Sequence, residues 1–133
     1  VKFDWDSALS FDGATGPYVQ NAHVRLCSIM RKAGYVVKQE EVDFSQLTDD
    51  AAYELIKLLA RKGERVDSAC EMEEPSVLAQ YALELSEAAH RFIHNDRVLG
   101  SAEEKSRLYL VQSAQCVMEN VLDLLGLFPI RQM

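Results

Sequence analysis

Apolar positions recur at helical spacing along most of this 133-residue chain. Val19, Ala22, His23, Leu26, Ile29, Met30 and Ala33 follow i, i+3, i+4, i+7, i+10, i+11 and i+14, one face of a helix of about four turns. Pro17 falls in its first turn, where a missing N–H does no harm, and Gly34 supplies the stop. Thr48 is the expected N-cap of a second helix, with Asp49 and Asp50 complementing its dipole. Ala52, Leu55, Ile56 and Leu59 form that helix's apolar face, and it is expected to end before Gly63. A weaker helix is expected over residues 64–72. Glu74-Pro75-Ser76 opens a long helix with Leu78, Tyr81, Ala82, Leu85, Ala89 and Phe92 on one face, broken by Gly100. Ser101 and Glu104 have the spacing of a capping box. The last helix turns Leu110, Ala114, Val117, Val121, Leu124 and Leu125 inward, and Gly126 and Pro129 end it before a short tail, residues 127–133.

Two stretches lack this period. Residues 1–14, rich in Asp, Ser and Gly, read as a leading loop segment. Residues 35–47 form a polar connection with a short apolar start, which allows a brief strand or an extended piece. The sum is an all-α bundle of four to five helices over residues 15–133, in one domain.

Composition narrows the class. The length is ordinary for one domain and suffices for a core without staples. Hydrophobic residues at 48% and charged residues at 26% match a globular chain. No apolar run is long enough to span a bilayer, and no secretion signal is visible. The start at Val1 fits a fragment, a processed chain or a trimmed one. Cys27, Cys70 and Cys116 are scattered and form no C-x-x-C pair, so the expectation is a reducing cytoplasm with neither a disulfide framework nor a zinc ribbon.

The net charge of −7 argues against phosphate contact, but its distribution changes the picture. Residues 14–38 carry Arg25, Arg31, Lys32 and Lys38 and no acid, whereas residues 39–50 carry Glu40, Glu41, Asp43, Asp49 and Asp50 and no base. Tyr18, Asn21, Arg25 and Lys32 share one side of the first helix, bordering its apolar face. Such a stripe offers a ring for stacking, an amide for base edges and cations for phosphates. The plainer reading puts Tyr18 at the core edge and leaves the cations solvated.

Catalytic signatures are absent: there is no phosphate-binding P-loop, no G-x-S-x-G and no H-E-x-x-H. His90 and His94, at i and i+4 with Glu87 a turn upstream, could present metal ligands, but the favoured reading is ordinary helix-end histidines. Glu40-Glu41 and Glu73-Glu74 lack a nearby nucleophile and read as solvated or dipole-complementing charge.

Thr15 to Arg25, TGPYVQNAHVR, resembles the T-G-P-Y-[LV]-Q-Y-A-H-[AS]-R signature of arginyl-tRNA synthetases, which marks the passage into their anticodon-binding domain. The segment from Phe3 to Phe11 and the stretch from Cys27 to Ala33 are similar to the flanks of that signature. Glu74-Pro75-Ser76, Phe92 and Arg97-Val98-Leu99 resemble further family stretches, and Leu124 to Met133 resembles the family's ending. The resemblance implies a helical domain that grips the anticodon stem and loop of arginine tRNA. It implies that Tyr18 lies near the loop, that Arg25 helps form the pocket for the middle anticodon base, a cytosine, and that the backbone of Met133 helps read that base. Asn21, Lys32, Phe92, Arg97 and Arg131 complete the residues expected at the RNA, with Trp5 and Tyr109 as further rings that could touch it. Three positions depart from the pattern: Asn21 and Ile93 stand where the family carries tyrosine, and Gln132 separates Arg131 from Met133.

The resemblance further implies that ATP, magnesium and arginine belong to a catalytic domain preceding residue 15, with residues 1–14 leading out of it. The expected partners are arginine tRNA and that catalytic domain, with no membrane, and this stretch is not expected to aminoacylate alone. The alternative is a helical protein-interaction domain derived from a synthetase. A metal-dependent enzyme built on His90 and His94 is a third reading.

Overall fold

The computed structural model describes residues 15–127. It holds five α-helices, α1 (Thr15–Ala33), α2 (Asp50–Ala60), α3 (Lys62–Met72), α4 (Pro75–Asn95) and α5 (Glu104–Leu127), with single 3-10 turns at Gln39–Glu41 and Phe44–Gln46. Among the described residues there is no strand, and the all-α expectation is met. The leading segment 1–14 and the tail beyond residue 127 lie outside the described residues.

The helix α4 is central and packs against each of the other four. Its sequence explains this. Leu78, Tyr81, Ala82, Leu85, Ala89 and Phe92 make the predicted apolar face, and Ala79, Ser86 and Ala88 bury a second side. Small residues let neighbouring backbones approach, while the long side chains fill the layers between them. Pro75 starts the helix at a position that needs no N–H donor. The Ser86 hydroxyl donates to the Ala82 carbonyl at 2.7 Å, so its polarity is met inside the helix. Tyr81 is fully buried, and its hydroxyl donates to the Leu58 carbonyl at 2.6 Å. That bond satisfies an end carbonyl of α2. Burial pushes the Tyr81 phenol up to about 12.

Helix ends follow local chemistry, with several shifts from the expected boundaries. Asp49, not Thr48, caps α2, accepting from the Ala52 N–H at 3.3 Å. As expected, α2 ends before Gly63, closed by Arg61, but α3 already begins at Lys62, so the glycine lies in its first turn. The α4 helix stops at Asn95, and Gly100 sits in the following turn at φ +85°. The expected capping box at Ser101 is replaced: Glu104 accepts from the Gly100 N–H at 2.7 Å, and the Ser101 hydroxyl donates to the Val98 carbonyl at 2.9 Å. Glu73 closes α3 in the left-handed region at φ 52°, with its N–H bonded to Cys70 and that of Glu74 bonded to Ala69. This is a Schellman closure with glutamate where glycine is usual.

Residues 35–47 form neither strand nor free loop. They lie along α5 as an arm held by side chains of that helix. The Gln112 amide grips Val37 from both sides, accepting from its N–H at 2.9 Å and donating to its carbonyl at 3.0 Å. The Ser106 hydroxyl accepts from the Asp43 N–H at 3.0 Å and donates to Gln46 at 2.8 Å. Val37 and Leu47 are buried at the two ends of the arm. Tyr35 adds a 2.6 Å bond to Glu104, and Lys105 pairs with Glu41 at 3.2 Å.

Candidate nucleic-acid interface

The α1 helix carries its sequence-predicted stripe into the fold intact. Val19, Ala22 and Leu26 are fully buried against α4 and α5, while Asn21, Arg25 and Lys32 are exposed and Tyr18 is half-buried. No acid lies in α1, so its exposed side presents cations without intrahelical partners of opposite sign. Lys32 and Arg31 also occupy the last turn, where they complement the helix dipole. Both readings of the stripe thus survive for Lys32.

Tyr18 is placed by His90 of α4. The two ring centroids are 4.8 Å apart and their planes are inclined at 46°. One side of the phenol therefore rests on the imidazole. Burial and then the negative charge of Glu87 raise the Tyr18 phenol above its ordinary value, so it stays a neutral donor. Burial, followed by the Arg25 cation, holds His90 below the usual imidazole range, with the Tyr18 backbone partly opposing them. The neutral form of the His90 ring is thus favoured, and among the described residues its Nε2 is buried without a hydrogen-bond partner. Tyr18, Arg25, Glu87 and His90 form one continuous surface across α1 and α4.

Glu87 also borders an open groove between α2 and α4, lined among others by Lys57, Arg61 and Arg91. These three cations lie far from α1 in sequence, and spacing within one helix could not reveal them. Glu54, Glu84 and Glu87 line the same groove, so its charge is mixed. Arg97 is exposed, but its Nε donates to the Leu99 carbonyl at 3.0 Å, folding the side chain back over Gly100. Tyr109 is half-buried and meets Phe44 edge-on at 6.5 Å.

One expectation is corrected. Phe92 has 0% exposure and lies in the core of α4, so its ring offers no face to a base. Ile93, at a position where tyrosine resembles the pattern better, is half-buried against the same core. Arg131, Met133 and Trp5 fall outside the described residues. His90 and His94 do not converge with Glu87 on a metal-binding arrangement; among the described residues the group able to do so is His23, Cys27 and Glu119.

The class of this five-helix fold, with its acid-free α1 helix exposed along one flank, follows from comparison with known families. The family model described as "DALR anticodon binding domain" matches residues 19–133, so the chain belongs to that family. Its relatives specify which version of the domain this is. The chain is 37% identical over 127 residues to the arginine–tRNA ligase of Halothermothrix orenii, covering 94% of this chain and 22% of that one. It is 39% identical to arginine–tRNA ligase 1 of Bacillus cereus, covering 95% of this chain and 22% of the relative. Among solved structures, the arginyl-tRNA synthetase of Thermus thermophilus matches all of this chain with a TM-score of 0.75 and 39% identity, over 24% of its own length. The domain is thus of the arginyl-tRNA synthetase type, and the chain spans less than a quarter of the length of these relatives. Among the described residues no helix is long and apolar enough to cross a membrane.

Proposed function

We propose that this chain binds the anticodon stem and loop of arginine tRNA as the C-terminal domain of a cytoplasmic arginyl-tRNA synthetase. The observation that carries the reading is the exposed α1 stripe, in which Tyr18, Asn21 and Arg25 stand free of acidic neighbours on their own helix. Tyr18 supplies a partly open ring seated on His90, and Arg25 and Lys32 supply charge for phosphates. Arg25 also helps form the pocket for the middle anticodon base, and the backbone N–H and C=O of Met133 pair with the edge of a flipped-out cytosine. A wrong base leaves those backbone groups unpaired, which is how a tail of this kind discriminates.

Residues 1–14 serve as the passage from the catalytic domain, and residues 15–133 are the RNA-binding unit. ATP, magnesium and arginine are assigned to the catalytic domain that the family resemblance implies upstream, since this sequence carries no P-loop signature. The residues here act by orienting tRNA so that its acceptor end reaches the catalytic domain.

The test is binding of the 133-residue chain to arginine tRNA and to the same tRNA with the middle anticodon cytosine replaced, at 50 and 200 mM salt. With about three phosphates neutralised, affinity is expected to fall roughly tenfold or more across that range. Preference for the cytosine form supports the proposal. Salt-insensitive binding without preference would favour the protein-interaction reading.

A further inference from the structure

We propose that His23, Cys27 and Glu119 form a binding site for a divalent cation of the zinc class, joining α1 to α5. His23 and Cys27 are four residues apart on α1, so ring and thiol stand one turn apart on the same face. Glu119 comes from α5, brought there by the packing of the two helices. His23 Nε2 lies 3.1 Å from Glu119 Oε2 and 3.5 Å from Cys27 Sγ. The three ligand atoms all lie within 4.8 Å of one another.

These separations have a specific meaning. A tetrahedral ion with bonds of about 2.0–2.3 Å to nitrogen, oxygen and sulfur holds its ligand atoms about 3.5 Å apart. The two measured edges are already close to that figure, so a small closing motion completes the triangle. A nitrogen, a sulfur and a carboxylate oxygen suit zinc and not magnesium or calcium, which take oxygen ligands. Gln115 supports the arrangement, its Nε2 lying 3.3 Å from Cys27 Sγ and 3.4 Å from Glu119 Oε2. In this pose the amide donates to both the sulfur and the carboxylate oxygen and orients them. Turned over, it offers its oxygen as a fourth ligand. The His23 side chain is 22% exposed and that of Glu119 51%, so the site opens to solvent and an ion can enter.

Binding takes Cys27 as thiolate and releases its proton. At about 100° per residue, His23 and Cys27 face roughly away from the Tyr18–Arg25 stripe. The ion therefore sits on the back of the helix that presents the RNA-facing residues. The His23–Glu119 hydrogen bond needs no metal, and the thiol is what separates a metal site from a simple helix-to-helix bond.

The experiment is titration of the 133-residue chain under reducing conditions with Co²⁺ as a spectroscopic probe and with Zn²⁺ against a chromophoric chelator. The expected result is one equivalent bound, with a thiolate-to-cobalt charge-transfer band and four-coordinate visible bands. Cys27→Ser should abolish the charge-transfer band, His23→Gln and Glu119→Gln should weaken binding, and Gln115→Ala should weaken it about tenfold. The double variant Cys70→Ser with Cys116→Ser should keep both the band and the affinity. Circular dichroism of each variant without metal checks the fold. Should Cys27→Ser fail to fold, the exposed Glu119→Gln carries the test. Substoichiometric binding, or a band that survives Cys27→Ser and vanishes in the double variant, overturns the proposal.

Discussion

Replacing Gln112 with leucine tests whether the 35–47 arm is fixed by α5 or merely lies on it. The Gln112 amide makes two bonds to the backbone of Val37, at 2.9 and 3.0 Å, and Val37 is only 3% exposed. Leucine keeps the volume and removes both partners. If the arm stays put, two backbone groups lose their bonds in a buried setting, at about 1–3 kcal/mol each. If the arm swings into water to recover them, Val37 loses its burial, worth roughly 1.5–2 kcal/mol, together with the ordering that supports the Ser106 bonds. The cheaper route sets the outcome, so the expected destabilisation is about 2–3 kcal/mol. At roughly 4 °C per kcal/mol for a domain of this size, the midpoint falls by about 8–12 °C. Urea denaturation followed by circular dichroism measures it, with an unchanged slope if unfolding stays two-state. Gln80→Leu, at an exposed position on α4, serves as the control and should stay within about 0.5 kcal/mol. A Gln112→Leu loss under 0.5 kcal/mol would refute the claim that this side chain holds the arm.

Other substitutions probe other links. Arg25→Ala should weaken arginine-tRNA binding by about tenfold with little change in melting, and it should raise the His90 pKa, readable by NMR titration, because the cation that helps depress it is gone. Phe92→Ala should cost about 3–5 kcal/mol of stability, so any loss of RNA binding should track the unfolded fraction and disappear on cooling or with a stabilising osmolyte. Glu73→Gly should stabilise by about 0.5–1 kcal/mol in thermal melts, since a side chain at φ 52° is strained where glycine is not. Asp96 is raised to about 6 by burial and then by its contact with Asp49. An acid raised in the folded state binds more protons folded than unfolded, so its contribution is most favourable below about pH 4 and is lost as pH rises through about 6. Asp96→Asn should therefore stabilise at pH 8 by on the order of 1–2 kcal/mol and do little at pH 4, and equal effects at both values would contradict the assignment.

Where apolar residues repeat over several turns, the chain announced its structure. The inward face of α4 is buried as its spacing required, and on α1 Val19, Ala22 and Leu26 are buried while His23, Ile29, Met30 and Ala33 are half-buried. The Phe92 error is instructive, because two readings disagreed about one residue. Its period placed it on the core face of α4, its resemblance placed it at the RNA, and its burial follows the period. Local signals of similar strength also left ambiguity. Thr48 and Asp49 are both good caps and adjacent, and the carboxylate won. The second helix does end before Gly63, but α3 starts at Lys62, two residues earlier than its expected start, with Val66 and Ala69 held against the core. The arm was illegible for a different reason: its order comes from Gln112 and Ser106, residues 75 and 63 positions away from the backbone groups they hold. For the candidate interface, the α1 stripe was readable at helical spacing, whereas the support from His90 and Glu87 required two helices to meet. The His23–Cys27 spacing was visible too, but Glu119 is 96 positions from His23.

The central position of α4 shapes how this domain comes into being. Helices α1, α2 and α3 all precede it, and each covers its apolar side against it. During synthesis, at roughly 5–20 residues per second, those three helices leave the ribosome with oily faces uncovered for several seconds before their common partner emerges. The apolar faces of α1 to α3 therefore lack their shared partner until α4 arrives, and α1 waits further for α5, against which it also packs. A lesion in α4 consequently leaves no half-domain behind.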